Sequence, residues 1–121
     1  MKPENTIDIL LVEDNPGDIR LTLEALKDGK INNKIDVVTD GEQAINYLKG
    51  KGEFEGKTLP DLILLDLNLP KLNGREVLAV IKADEALMHI PVIILTTSKA
   101  EDDILKSYQH HANCYITKPV D

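Results

Sequence analysis

Five positions in this 121-residue chain carry side chains whose types and placement suit chemistry: the adjacent acids Glu13 and Asp14, then Asp66, Thr96 and Lys118. Each ends or follows a short, mostly apolar run. Ile9-Leu10-Leu11-Val12 precedes the acid pair, Leu62-Ile63-Leu64-Leu65 precedes Asp66, Val92-Ile93-Ile94-Leu95 precedes Thr96, and Cys114-Tyr115-Ile116-Thr117 precedes Lys118. If those runs terminate on one rim, three carboxylates, a hydroxyl and an ammonium share a cleft. Carboxylates a few Å apart in a partly dry site repel strongly, so positive charge must offset them. Lys118 supplies one such charge and a divalent cation supplies the rest. A donor set of oxygens alone, without His or Cys, fits Mg²⁺, which keeps several waters and leaves room for a phosphate oxygen. The pattern therefore points to Mg²⁺ binding and acceptance of a phosphoryl group.

Taken singly, each residue has an ordinary structural role. Asp14, before Asn15-Pro16-Gly17-Asp18, suits a turn or a helix cap, Asp66 an Asx-turn, and Ser98 a cap for the next helix. A lone Lys118 suits a solvated surface. Their recurrence at four independent run ends is the more specific signal.

The elements that must position them follow from hydrophobic spacing. Three runs, at 9–12, 62–65 and 92–95, are too uniformly apolar for half-exposed strands and read as strands covered on both faces of a parallel sheet. Ile35-Asp36-Val37-Val38-Thr39 and Cys114-Tyr115-Ile116-Thr117 read as edge or short strands. Between them lie one-faced apolar stripes of helical period: Ile19, Leu23, Leu26; Ala44, Ile45, Leu48; Val77, Leu78, Ile81; and Ile104, Leu105, Tyr108. Strands and helices thus alternate, and right-handed crossovers turn that alternation into a doubly wound five-stranded parallel sheet of the α/β class. Functional sites in such sheets lie outside the carboxyl ends of the strands, where the five residues fall. The glycine-rich segment 50–60 reads as a long loop.

Composition excludes other roles. Hydrophobic residues at 42% permit a core, and 121 residues suit one domain, 1–121. Fourteen Lys and Arg against twenty-one Asp and Glu leave a net charge of −7, the wrong sign for nucleic acid or an anionic membrane. No apolar run approaches the ~18 residues of a membrane span, and the start MKPENT resembles no signal peptide, so a cytoplasmic protein is expected. The single Cys114 forms no intramolecular disulfide and reads as a small apolar residue. His89, His110 and His111 fall away from the run ends and read as exposed polar residues.

These residues resemble the receiver domain of two-component response regulators, the CheY-like family, across essentially the whole chain. The matching pieces are Glu13-Asp14 after the first run, Pro60-Asp61 leading to Asp66, Leu69-Pro70 with Asn73-Gly74, Pro91 leading to Thr96, and Tyr115-Ile116-Thr117-Lys118-Pro119. The finer resemblance is to single-domain regulators associated with phytochromes. It implies strand order 2-1-3-4-5, with Asp66 accepting a phosphoryl group from a sensor histidine kinase of phytochrome type. It implies Mg²⁺ held by Glu13, Asp14, Asp66 and the backbone carbonyl of Asn68, with Lys118 pairing to the phosphoryl oxygens. Thr96 would donate its hydroxyl to the phosphoryl group and Tyr115 would rotate inward in response. A cis Lys118-Pro119 bond is also implied. Such a protein assists its own phosphorylation and dephosphorylation without being an enzyme on a separate substrate.

Several departures qualify the resemblance. Thr97 stands where the family usually has a smaller residue, and Asn68 and Ser98 occupy positions that tune dephosphorylation. The fifth helix usual in receivers is not apparent before Asp121: either the chain is shortened from a longer parent, or the apolar face that helix covers is an interface, and a homodimer is expected. No effector segment is apparent, so output is expected through protein contact. The main alternative is a pseudo-receiver, the same fold used only for binding. A haloacid-dehalogenase-type phosphatase would want a second Asp where Asn68 stands, and a dinucleotide module would want G-x-G-x-x-G after the first run.

Overall fold

The computed structural model describes residues 6–29, 32–67, 69–96 and 114–117, with the backbone alone at 96 and 114–117. Five strands form one sheet: β1 (Thr6–Val12), β2 (Asn32–Val38), β3 (Leu62–Asp66), β4 (Val92–Thr96) and β5 (Cys114–Thr117). Three helices are described, α1 (Pro16–Lys27), α2 (Gly41–Lys49) and α3 (Gly74–Ala83). Every strand pair is parallel, and the order across the sheet is β2-β1-β3-β4-β5. The doubly wound parallel sheet and its strand order are as expected, and the two weaker runs are the two edges. The fourth helical stripe, Ile104 to Tyr108, lies outside the described residues.

Period-two alternation divides the core between the sheet faces. Leu10, Val12, Ile63, Leu65, Val92 and Ile94 point to one face and pack with Ala44 and Leu48 of α2 and Val77, Leu78 and Ile81 of α3. Ile9, Leu11, Leu64 and Leu95 point to the other, against Ile19, Leu23 and Leu26 of α1. Both faces of the central strands are therefore covered along 9–12, 62–65 and 92–95, the stretches whose sequence carries no polar residue. Each such fully buried aliphatic side chain contributes about 1.5–3 kcal/mol.

Helix starts are set by short polar side chains. Asn15, Asp40 and Asn73 adopt extended backbone and accept an amide hydrogen from Asp18 (3.0 Å), Gln43 (2.7 Å) and Glu76 (3.0 Å). The cap of α1 is Asn15, so Asp14 is free of the capping role considered for it. Gly50, at a left-handed φ of 64°, closes α2. Within the loop that follows, Gly52–Phe54 forms one turn of 3-10 helix, and the Phe54 ring lies 5.3 Å from that of Tyr47.

Candidate functional site

β1 and β3 are neighbours, with Val12 opposite Leu65, so the next residue along each strand is Glu13 and Asp66. That register carries the two carboxylates to the same edge. Both are buried: Glu13 is fully enclosed and Asp66 is 2% exposed, whereas Asp14 faces solvent. Carboxylate oxygens of Glu13, Asp14 and Asp66 all lie within 4.8 Å of one another. Two unit charges at that distance repel by about 3.5 kcal/mol at an effective dielectric of about 20. A cluster of this kind favours a cation that binds all three. Oxygen donors, one exposed and two enclosed, suit a hard divalent ion that retains water on its open side.

The backbone fixes these acids in place. The Glu13 amide donates to the Val38 carbonyl at 3.0 Å, extending the β1–β2 ladder by one residue. The Glu13 side chain turns back, and its Oε1 accepts from the Asn15 amide at 3.2 Å. That contact orients the acid while the Asn15 side chain caps α1.

Asp66 closes β3, opposite Leu95 of β4, and the Leu67 amide donates to the Leu95 carbonyl at 3.4 Å. The chain then makes a turn whose inner residues, Leu67 and Leu69, are buried in the core. The Gly74 amide donates back to the Leu67 carbonyl at 3.0 Å. A β-carbon on Gly74 would stand 2.3 Å from the Asp66 carbonyl oxygen and 2.6 Å from the Leu67 Cα. Only glycine lets α3 start this close to the end of β3.

On the crest of the same turn, Lys71 adopts a left-handed φ of 65°, a conformation costing a non-glycine residue about 1–2 kcal/mol. Its Nζ lies 3.7 Å from the buried carboxylate of Asp40. Asp40, Gly41 and the unusual backbone of Lys71 were not read from the sequence. An Asp-Gly pair just before a helical stripe was the available signal for the first two.

Thr96 ends β4, one residue beyond Leu95, and pairs with Thr117 of β5, while Tyr115 pairs with Ile94. The Thr96 backbone thus stands on the rim beside Asp66, where the reading of the sequence placed it. The side chains of Thr96 and Tyr115 are outside the described residues. So are Asn68, Thr97, Ser98, His110, His111, Lys118 and the Lys118-Pro119 bond. Of the predicted site, the structure gathers Glu13, Asp14 and Asp66. His89 is exposed in the turn before β4, away from the acids.

Tyr47 forms a separate polar contact on the sheet. Its hydroxyl donates to Asp36 of β2 at 2.5 Å, and Lys57 lies 3.7 Å from the same carboxylate. Burial, the hydrogen bond to Asp36 and the nearby charges of Asp36 and Asp8 push the phenol well above its ordinary range.

Comparison with known proteins places the fold and the acid cluster in context. The sequence profile of the response regulator receiver domain matches residues 9–121. The response regulator Rcp1 of Synechocystis is 53% identical over 110 residues, covering 91% of this chain and 75% of Rcp1. The crystal structure of the phosphorylated cyanobacterial phytochrome response regulator RcpA superposes with a TM-score of 0.86 at 53% identity, covering 96% of this chain and 83% of RcpA. The Mn²⁺-bound form of Rcp1 superposes with a TM-score of 0.85 at 50% identity, over 95% of this chain and 83% of that one. A profile match over most of the chain, this level of identity and an acid cluster at the strand ends lead to one conclusion: the chain belongs to the response regulator receiver family of two-component signalling.

Proposed function

We propose that Asp66 accepts a phosphoryl group from the phosphohistidine of a sensor kinase, and that the change is signalled by protein contact. The observation carrying this reading is the convergence of Glu13, Asp14 and Asp66 within 4.8 Å at the carboxyl ends of β1 and β3. Glu13, Asp14, Asp66 and the carbonyl of Asn68 would hold Mg²⁺, which supplies positive charge to the phosphoryl oxygens. An Asp66 carboxylate oxygen bonds to phosphorus as the phosphorus–nitrogen bond of phosphohistidine breaks, and the imidazole leaves with its electron pair and takes a proton. Such a transfer needs alignment and neutralisation more than covalent assistance. Burial of Asp66 excludes competing water from one side. Lys118 pairs with the phosphoryl oxygens and Thr96 donates its hydroxyl to them. Tyr115 rotates in response, so two packings exchange in population.

Similarity to Rcp1 and RcpA supports a kinase of phytochrome type as donor, acting in the cytoplasm. Homodimerisation is part of the same proposal. Leu21 on α1 and Val37 on the edge strand β2, 41% and 37% exposed, offer apolar surface for it, and sedimentation before and after phosphorylation reads it directly.

The test is incubation with Mg²⁺ and acetyl phosphate followed by intact-mass and peptide analysis. A phosphoryl adduct on Asp66, absent from Asp66→Asn, supports the proposal. A wild-type protein that never gains the adduct is a binding module instead.

A further inference from the structure

We propose that Asp40 and Gly41, at the corner between β2 and α2, are positioning residues that hold the turn after Asp66 and, through it, the placement of that acid for metal binding. The inference rests on the functional reading above and concerns a different part of the molecule from the acids themselves.

The turn is anchored at both ends by its own chain. Leu67 and Leu69 are buried at its start, and the Gly74 amide closes it onto the Leu67 carbonyl at 3.0 Å. The crest between them, Pro70 to Leu72, makes no backbone hydrogen bond of its own among the described contacts, and only Leu72 packs, partly buried, against the core. It also carries Lys71 in a left-handed backbone that a lysine disfavours. What meets the crest comes from another segment. A β-carbon built on Gly41 would stand 1.8 Å from the Leu72 carbonyl oxygen and 2.7 Å from its carbon, so α2 begins in direct backbone contact with the turn. One residue earlier, the buried Asp40 carboxylate faces Lys71 Nζ at 3.7 Å while accepting the Gln43 amide at 2.7 Å. One carboxylate therefore caps α2 and holds the crest, and the adjacent glycine sets how near the two approach.

The consequence for the site is geometric. The turn leaves directly from Asp66, a member of the acid cluster, so displacement of its crest is transmitted toward that carboxylate. Neither Asp40 nor Gly41 belongs to the acid cluster. Both act through the turn.

The experiment titrates Mn²⁺ alone into wild type, Gly41→Ala, Asp40→Asn and Leu48→Ala, reading free ion by electron paramagnetic resonance. Urea unfolding and amide exchange at Gly74 in metal-free protein accompany it. Asp40→Asn retains a side-chain oxygen for the Gln43 amide, so it keeps the helix cap and removes the charge facing Lys71. Leu48→Ala opens a cavity in the α2 core away from the turn and serves as the stability control. Weakening of Mn²⁺ binding by about tenfold is expected in Gly41→Ala, and a smaller loss in Asp40→Asn. Faster exchange at Gly74 is expected in both and not in Leu48→Ala. Adding Lys71→Gly to Asp40→Asn, which makes the left-handed backbone easy, is expected to restore part of the affinity.

Wild-type Mn²⁺ affinity in the folded variants, or an equal loss in Leu48→Ala, overturns the proposal. If Gly41→Ala does not fold, Asp40→Asn and its Lys71→Gly partner decide. If wild type itself takes up no Mn²⁺, the metal reading falls, and metal-free exchange at Gly74 alone decides whether this corner positions the turn.

Discussion

Gly74 and Asp66 meet through their backbones: a β-carbon on the glycine would stand 2.3 Å from the carbonyl oxygen of the aspartate. The start of α3 and the end of β3 are thus packed as one unit, and the carboxylate of Asp66 is presented from a strand end that has no freedom to slide. Gly74→Ala is expected to cost about 1–3 kcal/mol in urea unfolding, as forced overpacking does. It should also slow acetyl phosphate labelling of Asp66 in protein that is still folded. Wild-type labelling in this variant would show that the close approach serves packing only.

Repulsion within the acid cluster should be visible in stability. In metal-free buffer Asp14→Asn is expected to raise the stability by up to about 1 kcal/mol, since the side chain is exposed and water screens it. The gain should shrink at high salt. Wild type should gain about 2.7 kcal/mol from Mg²⁺ at a hundred times its dissociation constant, and Asp14→Asn distinctly less. Urea midpoints with and without chelator measure both effects.

Tyr47 gives a pH signature at the alkaline end. Burial first, then the hydrogen bond to Asp36, raises its pKa above that of the unfolded chain, so the folded state holds the phenolic proton more tightly. That contribution is fully present below about pH 10, the ordinary value for tyrosine. It is lost as pH rises from there toward the folded-state value. Wild type should therefore lose urea resistance above that pH more steeply than Tyr47→Phe. At neutral pH the phenylalanine variant should be less stable by about 1 kcal/mol, leaving Asp36 without its hydroxyl donor.

Asn15 separates structure from chemistry. Its side chain caps α1, while its backbone amide orients Glu13. Asn15→Ala removes only the first, so a loss of about 1 kcal/mol is expected with near-normal labelling of Asp66. A large fall in labelling would mean that the side chain has a further role at the site.

How far the fold was legible depended on where each strand sits. β1, β3 and β4 lie inside the sheet, and their unbroken aliphatic runs announce burial on both faces. β2 begins at Asn32-Asn33-Lys34, polar residues that an edge strand tolerates, so its first turn of pairing left no hydrophobic trace. The 3-10 turn around Phe54 was hidden for another reason: one aromatic packed on Tyr47 makes no period. In the site, Glu13, Asp14 and Asp66 were legible because each follows an apolar run. The choice of Asn15 over Asp14 as cap depends on a one-residue offset that composition does not show. The contact of Asp40 and Gly41 with the turn required knowing that α2 and α3 share a sheet face, and no local pattern encodes that.

Strand order has a temporal consequence. β1 lies between β2 and β3, and the acid pair waits at its end for a partner contributed by the middle of the chain. A nascent polypeptide that has completed β1, α1 and β2 possesses two of the three carboxylates and no binding centre. The third arrives only when β3 slots in beside β1, so affinity for a divalent ion reports that insertion. Ion uptake by the cluster would therefore mark the pairing of β3 with β1, before β4 and β5 complete the sheet.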